Sequence, residues 1–327
     1  MISTIIIAVL SFLTTLIATP YMIRYLRKMN LVVKDQNKED KPLVPLSGGL
    51  AVMAGIFIGI MTYVFIRVFV HNDSSSLLSY FAAITTILLI TFVGFIDDSI
   101  IKKSKEASEG LRQWQKPLLT LVAALPLMVI HAGDTKMALP FIGLVNFGLI
   151  YPLVLVPLFV VVSANMVNLL AGFNGLETGL GIVYIGMLGL FALYHHSSIA
   201  AVIALVTFSS LLAFLIFNWS PAKIFPGDSL TYLLGAVLAS IAILGNMEKA
   251  VIIVAIPFAI EFFLKARSRF KAQSFGYWEN GKIKSLYGKK VYSLAHLFTR
   301  KGKYTEKQIV IFLVILEFLF SLLIWVV

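Results

Sequence analysis

Residues 163–179 read S-A-N-M-V-N-L-L-A-G-F-N-G-L-E-T-G and separate two long apolar runs, 149–162 and 180–194. The stretch contains three asparagines and one acid, Asn165, Asn168, Asn174 and Glu177. An asparagine offers one acceptor oxygen and two donors, so it can bind a metal or a phosphorylated sugar without adding charge. Such a cluster at the end of a buried helix costs free energy unless it is satisfied. A capped turn between two membrane helices explains the same residues, so the stretch alone does not decide between the two interpretations.

The composition predicts an all-α polytopic membrane protein. The 327 residues are 59% hydrophobic and only 13% charged, and the mean hydropathy is +0.92. These values are far from those of a soluble domain. The chain has no cysteine, which excludes disulfides and thiolate chemistry. We expect a single integral membrane domain over 1–327, in which the first apolar run is a retained span and not a signal peptide.

A membrane-spanning helix needs about 20 predominantly apolar residues. The sequence predicts about ten such spans, near 2–23, 48–70, 77–96, 117–131, 148–164, 179–195, 198–217, 229–246, 250–265 and 308–327.

The basic residues predict the orientation of the chain. Most of the 27 Lys and Arg residues lie in alternate loops, and positive charge favours the cytoplasmic side. The predicted cytoplasmic loops are 24–46, 97–116, 165–178, 218–228 and 266–307, with the N and C termini outside. The net charge of +11 also suits an anionic lipid head group or a nucleotide diphosphate. Nucleic acid is a poorer inference, because no basic soluble domain is present to bind it.

Two loops have strand-and-turn patterns. Residues 276–288 contain Asn280-Gly281, a tight-turn signal, and predict a small cytoplasmic β-hairpin in the last loop. Residues 135–147 alternate weakly around Pro140 and Gly143 and predict a short external hairpin.

Three carboxylates stand at predicted span ends on the cytoplasmic side. The third span ends in F-V-G-F-I-D-D, which places Asp97 and Asp98 at the membrane surface. Paired acids suit a general base or a partner of a divalent ion, whereas the alternative is a polar stop at a helix end. Asp228 follows Pro226-Gly227 and is explained equally well as a helix cap. Asp228 and Asn168 together would suit Mg²⁺, which takes few protein oxygen ligands and completes its shell with water and phosphate.

Several basic residues could hold phosphate on the same side. Lys116 closes the second basic loop, and His296, Arg300 and Lys301 lie in the last loop. Each one alone is explained as a solvated surface residue, but the cluster favours an anion site. Glu317 lies near the middle of the tenth span, where it must be protonated, paired or in a helix interface; the sequence leaves these open.

Three motifs occur in order along the chain: F-I-D-D (95–98), N-x-x-N followed by N-G-L-E (165–177), and F-P-G-D (225–228). Their order, spacing and ten-span layout resemble the polyprenyl-phosphate N-acetylhexosamine-1-phosphate transferase superfamily. Within it, A-G-F-N-G-L-E resembles the dolichyl-phosphate GlcNAc-1-phosphate transferases of archaea and eukaryotes. The bacterial phospho-MurNAc-pentapeptide translocase has D-G-L-D-G-L there, and of its triple-histidine motif only His296 is kept. The first loop, Asp35-Gln-Asn-Lys38, also resembles that of the family.

The resemblance implies transfer of GlcNAc-1-phosphate from UDP-GlcNAc to a polyprenyl (dolichyl-type) phosphate, with UMP as the second product. It implies Mg²⁺, with Mn²⁺ as an alternative, on Asn168 and Asp228. The catalytic residues implied are Asp97, Asp98 and Lys116. The substrate-binding residues implied are Asn165, Asn174, Glu177, Phe225, His296, Arg300 and Lys301. Whether Asp97 orients the lipid phosphate or forms a covalent intermediate stays open.

The partners expected are therefore a UDP-sugar, a polyprenyl phosphate and the membrane, and a homodimer is compatible with them. The location expected is the cell membrane, or the endoplasmic reticulum membrane in a eukaryote, with a cytoplasmic active site. Two alternatives remain. The same chemistry could act on another UDP-N-acetylhexosamine such as UDP-MurNAc-pentapeptide, or the chain could be a secondary transporter with broken helices at its binding site.

Overall fold

The computed structural model describes residues 2–101, 110–112, 114–130, 135–139 and 142–326. Its α-helices, in chain order, are α1 (Ile2–Lys28), α2 (Gly49–Phe65), α3 (Leu77–Ile101), α4 (Gln115–Ala123), α5 (Leu125–Ile130), α6 (Val156–Val167), α7 (Leu176–Tyr194), α8 (Ser198–Asn218), α9 (Gly227–Gly245), α10 (Glu248–Val254), α11 (Ile256–Ala266), α12 (His296–Thr299) and α13 (Glu306–Leu322). Short π-helical segments extend α2 and precede α6, at Ile66–Val70 and Tyr151–Leu155, and a 3-10 turn, Leu323–Trp325, ends the chain's last helix.

Within the described residues, seven helices are long and apolar enough to cross a membrane, namely α1, α2 with its π-helical extension, α3, α7, α8, α9, and α13 with its terminal turn. The prediction of a mostly helical membrane protein is therefore confirmed. The count of ten spans and the outside position of the termini stay predictions.

The other three predicted spans, 117–131, 148–164 and 250–265, are built from shorter helical pieces. The helices break at Ala124 and at Ala255, and a proline follows two residues after each break, Pro126 and Pro257. Proline has no N–H and its ring clashes with the carbonyl four residues earlier, so it ends or kinks a helix. Within 148–164, the chain is π-helical around Pro152 before α6 begins, because this proline also interrupts the helix.

Helix α9 forms the centre of the bundle. It packs against α2, α3, α6 and α8, and nearly every residue from Ser229 to Ile243 is buried. A helix that is apolar all round must be enclosed by other helices. The N-terminus of α9 therefore lies inside the protein, and Asp228 with it.

Three antiparallel hairpins complete the described fold. Strands β3 (Lys136–Leu139) and β4 (Gly143–Asn146) form the hairpin predicted over 135–147, although Pro140 lies outside the described residues. Strands β5 (Tyr277–Glu279) and β6 (Lys282–Lys284) form the hairpin predicted around Asn280-Gly281.

The third hairpin, β1 (Val32–Lys34) with β2 (Leu43–Pro45), was not predicted. The β-branched pair Val32-Val33 is the sequence signal for this strand, in a loop otherwise rich in charged residues. The Phe225 N–H donates to the Pro45 carbonyl at 2.8 Å, and the Gly48 N–H donates to the Phe225 carbonyl at 2.9 Å. This hairpin therefore fixes the turn that leads into α9.

Candidate active site

A cavity of about 440 Å³ opens where the loops on one side of the bundle meet. Its walls come from the first loop (33–37), the end of α3, the asparagine stretch (168–177), the start of α9 (225–231) and the segment after α11 (270–275). These parts are distant in sequence, so the cavity exists only in the folded chain.

Two carboxylates and one lysine form a charged cluster on the cavity wall. The Lys116 Nζ atom lies 2.6 Å from Asp97 Oδ2 and 3.1 Å from Asp228 Oδ2. Asp97 is fully buried, while the Lys116 and Asp228 side chains keep 23% and 19% of their area exposed. The Leu111 N–H also donates to Asp97 Oδ1, at 2.5 Å. The structure thus brings together three of the predicted site residues, Asp97, Lys116 and Asp228.

Asp98 lines the same cavity, but both of its oxygens are occupied. Oδ1 accepts from the Asp228 N–H at 2.8 Å, and Oδ2 accepts from the Ser229 N–H at 3.1 Å and from the Ser47 hydroxyl. A carboxylate at the first N–H groups of a helix satisfies donors that the helix leaves free. Asp98 therefore holds the N-terminus of α9 against α3, and fixes the position of Asp228.

Asn168 lies at the cavity just after α6 ends at Val167. Asn168 and Asp228 line the same cavity, and the metal site that they are expected to share stays a prediction. Asn165 faces elsewhere: its amide donates to the Val161 carbonyl at 2.8 Å and to Thr120 Oγ1 at 3.4 Å. Asn165 is absent from the described lining of the cavity, so its proposed role in substrate binding stays a prediction.

The donor set suits a hard cation that keeps most of its shell as water and phosphate. Asp228 supplies a carboxylate and Asn168 an amide oxygen, which is the oxygen chemistry that Mg²⁺ prefers. Within the described ranges, no three His, Cys, Asp or Glu side chains are grouped as a metal site. The residues therefore fit a metal held jointly by protein and substrate, and not a closed structural site.

The asparagine stretch turns twice through glycine. Gly172 and Gly175 have φ of +114° and +86°, the left-handed region that L side chains rarely adopt. Between them, the Asn174 side chain donates to Asp35 Oδ2 at 2.9 Å. Glu177 Oε1 accepts from the Gly172 N–H at 2.9 Å and so anchors the turn, while its contact with substrate stays a prediction. Phe225 lies half-buried at the cavity.

The last loop lines the cavity with residues other than those that the sequence predicts. His296, Arg300 and Lys301 are not among the described residues that line the cavity. Arg300 and Lys301 are exposed, while His296 is fully buried. Burial and exposure here depend on tertiary contacts, which spacing in the sequence does not show.

Both ring nitrogens of His296 are engaged by backbone groups. Nδ1 accepts from the Tyr292 N–H at 3.1 Å, and Nε2 lies 3.0 Å from the Gln273 carbonyl. Burial lowers the pKa of His296; the Gln273 carbonyl opposes this effect and the Lys265 charge adds to it. The ring is therefore neutral at pH 7 and carries its proton on Nε2. It holds the segment 270–275, which forms one wall of the cavity.

Three cavity lysines were not singled out from the sequence: Lys34, Lys265 and Lys271. Lys34 and Lys271 belong to basic loops that the sequence explains through membrane orientation, and Lys265 ends the predicted span 250–265. Only their convergence on one cavity distinguishes them from other surface lysines. They add positive charge to a cavity that also holds Lys116.

Comparison with known proteins identifies the family. Residues 80–246 match the family model described as glycosyl transferase family 4. A protein of Saccharolobus solfataricus, provisionally named a UDP-N-acetylglucosamine–dolichyl-phosphate N-acetylglucosaminephosphotransferase, is 37% identical over 96% of this chain and 93% of its own. A protein of Sulfolobus acidocaldarius with the same provisional name is 33% identical over 96% and 93% of the two chains. The phospho-N-acetylmuramoyl-pentapeptide-transferase of Lacticaseibacillus paracasei is 30% identical over 77% and 78%.

The family match spans the charged cluster, from α3 to the end of α9, and the archaeal relatives match along nearly the whole chain. This chain is therefore a member of glycosyl transferase family 4.

Proposed function

We propose that this protein transfers GlcNAc-1-phosphate from UDP-GlcNAc to a polyprenyl (dolichyl-type) phosphate, with UMP as the second product. The observation that carries the proposal is the cluster of Asp97, Lys116 and Asp228 on the wall of a cavity. Two archaeal relatives of near-equal length are provisionally named for this reaction. The family assignment favours an enzyme over the transporter interpretation, and the cluster lies at helix ends and not in the middle of spans.

In the proposed reaction, an oxygen of the lipid phosphate attacks the β-phosphorus of UDP-GlcNAc. The bond between that phosphorus and the bridging oxygen of UMP breaks, and UMP leaves. Two anions must therefore approach each other. Lys116 offsets this repulsion because its ammonium group faces the cavity between Asp97 and Asp228. Asp97 orients the lipid phosphate or takes its proton, a role that contributes about 10²–10⁴ in rate.

Asp98 serves the same step through Asp228. It carries no free oxygen for substrate, because the Ser47 hydroxyl and two backbone N–H groups occupy it. Asn168 and Asp228 are the residues that would hold Mg²⁺. When bound there, Mg²⁺ neutralises negative charge on the donor diphosphate.

The donor nucleotide is proposed to lie against the asparagine stretch and the start of α9. The Phe225 ring is available for stacking on uracil, and Asn174 shapes the wall beside it. Two further cations line the cavity, Lys265 in the last turn of α11 and Lys271 in the segment after it. We infer that they meet the diphosphate more directly than His296, Arg300 or Lys301, whose contact with substrate stays a prediction.

The placement in the membrane is part of the proposal. We propose ten spans, with the broken helices α4–α5 and α10–α11 crossing as pairs, and both termini outside. The cavity then faces the cytoplasm, where nucleotide sugars are available, in the cell membrane or the endoplasmic reticulum membrane. A homodimer is compatible with this arrangement.

The test is transfer of radiolabelled phospho-GlcNAc from UDP-GlcNAc to dolichyl phosphate by the full chain in detergent. Wild type, Asp97→Asn and Asp228→Ala are assayed with Mg²⁺ and after chelation. Asp40→Asn is the matched control, because Asp40 is exposed in the first loop and lies outside the cavity lining. We expect Mg²⁺-dependent product from wild type and the control, and a loss of about 100-fold or more in the other two variants.

UDP-MurNAc-pentapeptide is assayed in parallel, since one relative at 30% identity carries the corresponding name. Turnover of that donor alone would keep the site and change the sugar. No turnover of any UDP-sugar would contradict the proposal.

A further inference from the structure

Glu306, the first residue of α13, is buried at 5% exposure although it is charged. It does not line the cavity. An acid in the first turn of a helix is ordinarily explained by capping or by the helix dipole. Here Thr305 and Gln308 already form a complete capping box. The Glu306 side chain is therefore free to bind elsewhere.

Its two oxygens receive donors from three separate loops. Oε1 accepts from the Asn174 N–H at 3.0 Å and from the Asn37 amide at 3.4 Å. Oε2 accepts from the Ser220 hydroxyl at 3.0 Å and forms an ion pair with Lys38. Two of these partners, Asn37 and Asn174, are themselves cavity residues.

The same loops are bonded to each other around this carboxylate. The Asn37 amide also donates to the Gly172 carbonyl at 2.7 Å, and Asn174 donates to Asp35 Oδ2 at 2.9 Å. Lys38 reaches the Ser220 hydroxyl at 3.0 Å. The network joins the first loop, the asparagine stretch and the loop before α9. A buried carboxylate at its centre is stable only while these donors surround it.

We infer that Glu306 is a positioning residue that locks the nucleotide-facing loops of the cavity into one arrangement, and that Lys38 is its counterion. The expected effect on kinetics rests on the proposed function, whereas the expected effect on the order of the loops does not. The partners of Glu306 do not include Asp97, Lys116 or Asp228. Its loss should therefore weaken binding of the UDP-sugar more than it slows the chemical step.

The kinetic test compares Glu306→Gln, Glu306→Asp and Lys38→Met in the full-length protein. Glutamine keeps the shape of the side chain but replaces one acceptor oxygen with an NH₂ donor. That NH₂ group would face other donors, either Lys38 and Ser220 or Asn37 and Asn174. We expect Glu306→Gln to raise KM for UDP-GlcNAc about tenfold or more, the effect of losing one charged hydrogen bond, with kcat close to wild type. Glu306→Asp should be intermediate, and Lys38→Met should add little to Glu306→Gln because the two residues act as a pair.

The matched control is Glu279→Gln, an exposed acid of the last loop that pairs only with Lys284 among the described residues; it should leave KM unchanged. A fall in kcat that follows the folded fraction, with KM constant, would show a merely structural role and overturn the inference.

A second measurement does not need activity. The Asn174 N–H donates to Glu306, so amide hydrogen exchange in a peptide covering 168–177 should be faster in Glu306→Gln than in wild type or Glu279→Gln. Unchanged exchange would contradict the inference even if the enzyme turns over. Faster exchange in a chain that turns over no UDP-sugar would support the positioning role while rejecting the proposed function.

Discussion

The ammonium group of Lys116 lies 2.6 Å from Asp97 Oδ2, and this contact joins the start of α4 to the end of α3 inside the cavity. The same ammonium group is 3.1 Å from Asp228. One lysine is thus the shared counterion of two carboxylates, and 23% of its side chain stays exposed.

Replacing Lys116 by methionine should abolish transfer. The change removes the shared counterion of Asp97 and Asp228 and the positive charge available to the lipid phosphate, so we expect kcat to fall about 100-fold or more. Steady-state transfer from UDP-GlcNAc measures it. Lys223→Met is the control, since Lys223 is exposed in the loop before α9 and lies outside the cavity lining. Near-normal kcat in Lys116→Met would remove this residue from the proposed mechanism.

Replacing Asp98 by asparagine should damage stability and activity together. The two carboxylate oxygens of Asp98 each accept from a backbone N–H at the start of α9. An asparagine has only one acceptor oxygen, so its NH₂ group would face one of these N–H groups. Leaving a buried donor unsatisfied costs about 1–3 kcal/mol. Thermal unfolding in detergent should therefore show a lower midpoint for Asp98→Asn.

Asp97→Asn provides the contrast, since it removes charge at the cavity without disturbing the N-terminus of α9. It should lose activity with a smaller change in thermal midpoint. Equal midpoints for the two variants would contradict the structural role assigned to Asp98.

Gly94 allows α3 to approach the start of α9. A Cβ atom at Gly94 would lie 2.4 Å from the backbone oxygen of Asp228, and backbone cannot move aside as a side chain can. Gly94→Ala should push the two helices apart, with a cost of about 1–3 kcal/mol, and displace Asp228 from Lys116. We expect a large loss of transfer activity and a lower thermal midpoint.

Gly186→Ala is the matched control, because its added Cβ would meet only the Phe208 ring, at 3.1 Å, and a ring can turn. If Gly94→Ala kept wild-type activity, the close approach of α3 and α9 would not be required for the site.

The sequence predicted the charged cluster more fully than the fold around it. Asp97 stands out because it is one of two adjacent acids at a span end, whereas Asp228 is also explained as a helix cap, and Lys116 closes a basic loop. The predicted loops place all three residues on one side of the membrane, and the structure brings their side chains together. The breaks at Ala124 and Ala255 were harder to place, because a proline shows that a helix is interrupted but not how the two halves continue.

The first and last loops could not be predicted in detail. In the sequence, Glu306 is an ordinary acid at a helix start. Its partners Lys38, Asn174 and Ser220 are remote in sequence. His296 reads as a phosphate ligand because its neighbours are basic, yet its ring is turned inward onto Gln273. The positions of Glu306 and His296 depend on tertiary contacts, which the periodicity of the sequence does not predict.

The buried ring of His296 should make stability depend on pH. Its folded pKa is lower than its ordinary value, first because of burial and further because of the Lys265 charge. The unfolded chain therefore binds a proton more readily than the folded one, with an unfolded pKa of about 6.5. The contribution of the neutral ring is fully present above that pH and is lost as the pH falls below it.

We expect the thermal midpoint of wild type in detergent to decrease between pH 8 and pH 5 by more than that of His296→Gln. Glutamine does not titrate, and its amide can still donate to the Gln273 carbonyl that now faces Nε2. His71→Gln is the control, since His71 is exposed after the π-helical end of α2, and it should follow wild type. Parallel pH curves for wild type and His296→Gln would show that the ring is protonated as readily in the folded chain as in the unfolded one. They would restore His296 as a charged candidate for binding the donor diphosphate.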